Sequence, residues 1–165
     1  MMVPGYVSTS AYAGFWLRFL AYIIDAIILG VFIGPILVGV GMMMGLATAV
    51  TALPHGHDPF SEGFPPVFAE FISVFVLVTL GSTWLYHALL ESSEWQATAG
   101  KKALGLVVTD LGGARVSFAR ASGRHFAKII TGLIPFGVGY ILAGITEKKQ
   151  ALHDMLAGCL VMRKV

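Results

Sequence analysis

The chain has 165 residues, of which 56% are hydrophobic and only 12% charged, where a soluble domain carries about a quarter charged residues. With a mean hydropathy of +0.80, such a chain would expose large apolar patches in water. That excludes an ordinary soluble domain and makes a lipid bilayer the expected partner. The net charge of +2 conceals an uneven distribution, because none of the eleven Lys and Arg lies between Arg18 and Lys101. Basic residues flank apolar runs without interleaved aromatics, so no nucleic-acid partner is expected. The single cysteine, Cys159 in AGCLVM, excludes an intramolecular disulfide and any Cys-based metal cluster, and reads as a buried, inert thiol. No cleavable signal pattern is evident, since a basic n-region and an A-x-A site are both missing.

In chain order, residues 1–13 are small and polar. From Phe15 to Val50 the chain is apolar except for Arg18 and Asp25. A helix over that whole stretch would run about 54 Å at 1.5 Å per residue, against a hydrocarbon core of about 30 Å. The first membrane helix is predicted at 15–44, with a bend at Gly34-Pro35, where proline removes a backbone donor. TALPHGHDPFSEGFPP, 51–66, holds four Pro and two Gly and reads as a loop. A second spanning helix is predicted at 67–90, with Trp84 and Tyr86 placed for an interfacial aromatic belt. Residues 91–128 form a polar segment with a small β-like element. LGLVVTD and LGGARVSF would flank a Gly112-Gly113 turn, and the terminal AGCLVMRKV is a further strand candidate. Ser117 is an N-cap candidate, and Arg120, Arg124 and Lys128 fall at i, i+4, i+8 along the helix it would open. The apolar run 129–145 is broken by Gly132, Pro135, Gly137 and Gly139, and reads as a helix, a break and a second helix. A C-terminal segment, 150–165, follows.

The expected fold is therefore a single all-α membrane domain with two spanning helices and a Gly/Pro-broken third apolar segment. That segment is either a re-entrant hairpin or a third and fourth short helix. The loop at 51–66 has no Lys or Arg and the segment 101–128 has six. The positive-inside rule then puts the loop outside and both termini in the cytoplasm of a multi-pass inner-membrane protein. A re-entrant 129–145 keeps every basic residue on one side, and irregular backbone is tolerated at membrane depth when protein buries it.

Arg18 and Asp25 stand seven residues apart, so they share a helix face and are separated by about 10 Å along its axis. Each costs about 2.5–3.5 kcal/mol at mid-membrane. Arg18 can snorkel, whereas Asp25 needs a partner, a proton or a wet cavity. An intramembrane carboxylate is a functional candidate for that reason. Arg18, Arg120 and Arg124 are its expected electrostatic partners. Asp154 is expected to cap a helix or to pair with Lys101 or Lys102, and Glu91 to meet His87 one turn earlier. Gly100-Lys101 lacks the rest of a phosphate-loop pattern. His55, His57, Asp58 and Glu62 in the outer loop have weak ligand spacing, so no metal is expected. No cofactor is expected, and no enzyme chemistry, because no nucleophile–base pair is visible. The Gly30-x-x-x-Gly34 and Gly41-x-x-x-Gly45 spacings permit close helix contact.

Three blocks together resemble a known family. GFWLRFLAYIIDAII, QATAGKKALGLVV and ALHDMLAG, in that order, resemble the RDD family of small bacterial membrane proteins. The resemblance carries the family motif onto Arg18, Asp25, Gly100, Lys101, His153 and Asp154. Ala99 departs from it, standing where the family commonly has proline. Some members are described as cation/proton antiporters. The resemblance therefore implies a transporter of monovalent cations or protons in which Asp25 binds the ion. Two or three membrane helices hardly enclose a pathway, so a homo-oligomer is expected. A membrane scaffold or regulatory protein, its buried charges purely structural, is the alternative.

Overall fold

A computed structural model describes residues 12–52 and 66–164. In order they form α1 (Phe15–Ala52), α2 (Pro66–Ser92), α3 (Ala99–Ala103), β1 (Leu106–Asp110), α4 (Phe118–Leu133), α5 (Val138–Ile145), α6 (Leu152–Ala157) and β2 (Cys159–Arg163). Both long apolar helices are present. α1 is 38 residues long and runs continuously through Pro35, passing the predicted end at 44. α2 covers 27 residues and carries one charge near each end, Glu70 and Glu91. Each is long and apolar enough to cross a membrane, over Phe15–Val50 and Phe68–Ser92. The chain divides into two compact units, one made of the stretch up to Ala26 together with everything from Trp84 onward, the other Ile27–Thr83.

Within Ile27–Thr83, Gly41 is the close-approach position. A Cβ there would lie 2.9 Å from the Phe71 ring, whereas Gly30, Gly34 and Gly45 face open space. Of the two small-residue spacings, only the Gly41 end meets a neighbour among the described residues. Many large apolar side chains of α1 and α2 in this unit are exposed, Phe32 and Leu77 each by 71%, as lipid-facing residues are.

The other unit has a real interior. Ala13, Ala21, Ala88, Leu106, Val108, Val116, Ala121, Cys159 and Val161 are buried together, with Leu17 and Trp84 packed against them. Small residues dominate, so helix and strand backbones approach closely there. β1 pairs antiparallel with β2, Val108 opposite Val161. The C-terminal run is thus a strand as read, but LGGARVSF is not: it contributes a single bridge, Arg115 to Thr109. Its return arm is cut short because Ser117 caps α4, its side chain accepting the Arg120 N–H. The predicted break in the third apolar run is present. α4 ends at Leu133, Phe136 and Gly137 take positive φ in one 3₁₀ turn, and the axis bends by 116° into α5. Gly139 lets α5 fold back onto α4, since a Cβ there would sit 2.7 Å from the Thr131 methyl.

Candidate functional site

The compact unit gathers five charged residues into one alternating chain. Arg18, in the first turns of α1, donates Nη1 to Asp154 Oδ2, Nε to the Ala13 carbonyl at 2.8 Å and Nη2 to the Lys149 carbonyl at 2.5 Å. Asp154 accepts Arg124 Nε on Oδ1 at 2.7 Å. Arg124, on α4, gives Nη1 to Glu91 Oε2 at 2.7 Å. Glu91, at the end of α2, takes Lys101 Nζ on its other oxygen. The paired side chains of this chain are between 0 and 12% exposed. Separating such a pair costs about 3–5 kcal/mol, because the remaining charge stays buried.

Local folding explains the placement. Asp154 occupies the third position of α6, where its Oδ2 accepts the Ala151 N–H at 3.1 Å; Ala151 has no side-chain oxygen with which to reciprocate. Gly158 closes α6 in the left-handed region and turns the chain into β2. Burial pushes the Asp154 carboxyl up, but Arg124 and Arg18 outweigh it and hold the group far below the usual carboxylate range. Burial lowers the Lys101 ammonium, with Glu91 opposing. Burial and then Arg124 lower His153 to about 3, so this residue is a neutral imidazole beside Asp154, Nε2 to Oδ1 3.5 Å.

Asp25 sits next to this chain but is held differently. It is 2% exposed. Tyr86 donates its hydroxyl to Oδ1 at 2.6 Å, Thr98 its hydroxyl to Oδ2 at 2.5 Å, and Gly100 its backbone N–H to Oδ1 at 2.7 Å. The Tyr86 hydroxyl in turn accepts the Ala99 N–H at 3.1 Å. Thr98 is the N-cap of α3, so the first turn of that helix is folded around the carboxylate. Glycine is required at position 100: a Cβ there would collide with the Ala21 carbonyl and lie 2.9 Å from the Asp25 carboxyl carbon.

The expectation that Asp25 pairs with Arg18, Arg120 or Arg124 is corrected here. Arg18 and Arg124 belong to Asp154 and Glu91. Arg120 lies outside, 3.6 Å from Asp110 in a half-exposed pair that contributes little. Three neutral donors satisfy Asp25 without the desolvation of a second full charge. Asp154 does cap a helix, but it pairs with arginines rather than with Lys101 or Lys102; the Lys102 ammonium instead lies 3.3 Å above the Trp95 ring. Arg120, Arg124 and Lys128 do not act as one stripe, since each i+4 step rotates by about 40° and only Arg124 is fully buried. The aromatic belt expected at Trp84 and Tyr86 faces inward at its polar tips, Trp84 donating to Ser122 at 3.1 Å. Tyr86, Glu91 and Thr98 are the site residues that sequence reasoning missed. Among the described residues no group of His, Cys, Asp and Glu is arranged to hold a metal; His55, His57, Asp58 and Glu62 lie outside the described residues.

The three sequence blocks that carried the family resemblance thus meet in one place: Arg18 and Asp25 from the first, Thr98, Gly100 and Lys101 from the second, His153 and Asp154 from the third. The model of the RDD family matches residues 12–158. The chain belongs to the RDD family. Its RDD-type relatives include the uncharacterized protein YxaI of Bacillus subtilis, 37% identical over 154 residues, which cover 92% of this chain and 97% of that one. The uncharacterized protein YckC of the same organism is 31% identical over 90% of this chain and 83% of its own. The uncharacterized membrane protein YteJ, also from B. subtilis, is 26% identical over 94% and 84%. No solved structure matches. This RDD protein is a membrane protein with apolar helices and a small two-stranded sheet.

Proposed function

We propose that this RDD protein is a non-enzymatic membrane scaffold whose buried charges hold its membrane segments together. One observation carries the reading: the three acids Asp25, Glu91 and Asp154 and the three bases Arg18, Lys101 and Arg124 sum to zero, and every one is engaged by groups of the chain itself. A cluster in which these six groups balance and partner one another stabilises a fixed arrangement of the segments that carry them. The orientation we favour has both termini and the sheet in the cytoplasm of the cell membrane, with α4–α5 re-entrant, in keeping with the 116° bend and the one-sided basic residues. In a Cys159→Ala background, a cysteine at Lys148 should react with membrane-permeant reagents only.

Cation/proton exchange is the second reading. Its support is that the partners of Asp25 are all neutral donors, so protonation or cation capture there would leave no arginine unpaired. It requires a homo-oligomer to enclose a path. Purified protein in liposomes, assayed for proton movement driven by sodium or potassium gradients, separates the two. The scaffold reading expects no coupled flux. Flux that Asp25→Asn abolishes in a folded protein would overturn it.

A further inference from the structure

We infer that the protein carries a binding site for one anionic glycerophospholipid, between the start of α1 and the end of α5. A cavity of about 660 Å³ lies there, lined by Gly14, Phe15, Trp16 and Leu17 on one side, by Ile141, Gly144 and Ile145 on the other, and by Lys149 and Arg163. Its volume falls within the usual range for small-molecule sites, about 300–1,000 Å³. The lining is apolar except for two cations, and no acid takes part. Among the described residues neither Lys149 nor Arg163 makes an ion pair.

Two glycines and a lysine of positive φ border the cavity. Gly144 faces the Phe15 Cβ, which an added methyl would meet at 3.7 Å, and Gly14 faces the Lys149 side chain, 3.7 Å from Cδ and 3.9 Å from Nζ. Lys149 holds a positive φ of 46°. Its N–H donates to the Thr146 carbonyl at 3.0 Å and its carbonyl accepts Arg18 Nη2 at 2.5 Å. The Lys149 backbone is thereby held at the mouth by the charge cluster itself. Trp16 and Ile145 are about three-quarters exposed beside it, at the level where the α1 span begins. Apolar walls at the edge of the hydrocarbon, under a cationic rim, match acyl chains joined to a phosphate. Basic groups at that level attract anionic headgroups by about 1 kcal/mol each.

Native mass spectrometry of the full-length protein from detergent, with phosphatidylglycerol and phosphatidylcholine of identical acyl chains, tests the assignment. Wild type should retain phosphatidylglycerol about tenfold to thirtyfold more tightly, the effect of two interfacial cations. Lys149→Asn with Arg163→Gln should bring the two lipids within about twofold; asparagine tolerates the positive φ, and Arg163 is exposed. Lys148→Gln with Arg115→Gln removes the same charge outside the cavity and should preserve the preference. Equal retention of both lipids by wild type would overturn the proposal, as would equal loss in the two double variants. Glycerol 3-phosphate in excess should leave the lipid adduct intact; displacement would show that a soluble phosphate is the occupant and refute the lipid assignment.

Discussion

Replacing Gly100 by alanine tests whether α3 is really wrapped around Asp25. The added methyl collides with the Ala21 carbonyl and comes within 2.9 Å of the Asp25 carboxyl carbon and Oδ1. Neither neighbour can yield cheaply, because Ala21 O is helix backbone and Asp25 is pinned by Tyr86 and Thr98. Overpacking of this kind costs about 1–3 kcal/mol. Moving α3 away to relieve it lengthens the 2.7 Å hydrogen bond from Gly100 N to Asp25, and a hydrogen bond to a charged group contributes about 1.5–3 kcal/mol. The two losses share one displacement, so the expected destabilisation is about 3–5 kcal/mol. Two other glycines set the scale. Gly105→Ala meets open space but holds a φ of 65°, so it should cost about 1–2 kcal/mol. Gly123→Ala, inside α4 with nothing within 4 Å, should stabilise by about 0.5–1 kcal/mol. Equilibrium unfolding in mixed micelles measures all three. A Gly100→Ala loss no larger than that of Gly105→Ala would refute the close packing of α3 on α1.

Glu91→Gln should destabilise by about 3–5 kcal/mol by leaving Arg124 and Lys101 short of a counter-charge, and adding Lys101→Met should recover part of that loss; strict additivity in this double-mutant cycle would deny the Glu91–Lys101 contact. His153 titrates at about 3 when folded and near 6.5 when unfolded, so the unfolded chain binds more protons below neutrality and stability falls with pH. Between pH 7 and 5 the loss from this residue is about 2 kcal/mol, which His153→Gln should remove from the unfolding profile; an unchanged profile would place His153 in water. Cys159 is fully buried and burial raises its thiol pKa, so maleimide should label it only on unfolding, and rapid labelling of the native protein would contradict its buried position at the start of β2.

The long elements were legible because about twenty consecutive, predominantly apolar residues allow little but a membrane helix. The break at Pro135 was legible because proline and three glycines crowd one run. The family blocks singled out Arg18, Lys101 and Asp154, but neither their meeting in one cluster nor their pairings followed from them. Asp25 bonds to residues 61, 73 and 75 positions away, and the hydroxyls of Tyr86 and Thr98 look like any others in the chain. Glu91 was read as a helix-end partner of His87, a local contact that gave no sign that its carboxylate takes both Lys101 and Arg124. Pairing rules favoured an arginine for Asp25; a threonine cap, a tyrosine and one backbone amide filled the place first. The aborted strand at Arg115 has a similar cause, since Ser117 commits the chain to α4 before a second arm can form.

The bond between Arg18 and Asp154 joins residues 136 positions apart, and this separation imposes an order on biogenesis. At roughly 5–20 residues per second, about 7–27 s elapse between synthesis of the two. At the start of that interval α1 has emerged with a guanidinium and a carboxylate whose charged or side-chain partners do not yet exist. Tyr86, Thr98 and Gly100 relieve Asp25 first, then α4 supplies Arg124 to Glu91, and α6 arrives last to join Arg18 to Arg124. A chain that stops before residue 154 leaves Arg18 without its carboxylate, so the last segment made is the one that completes the charge cluster.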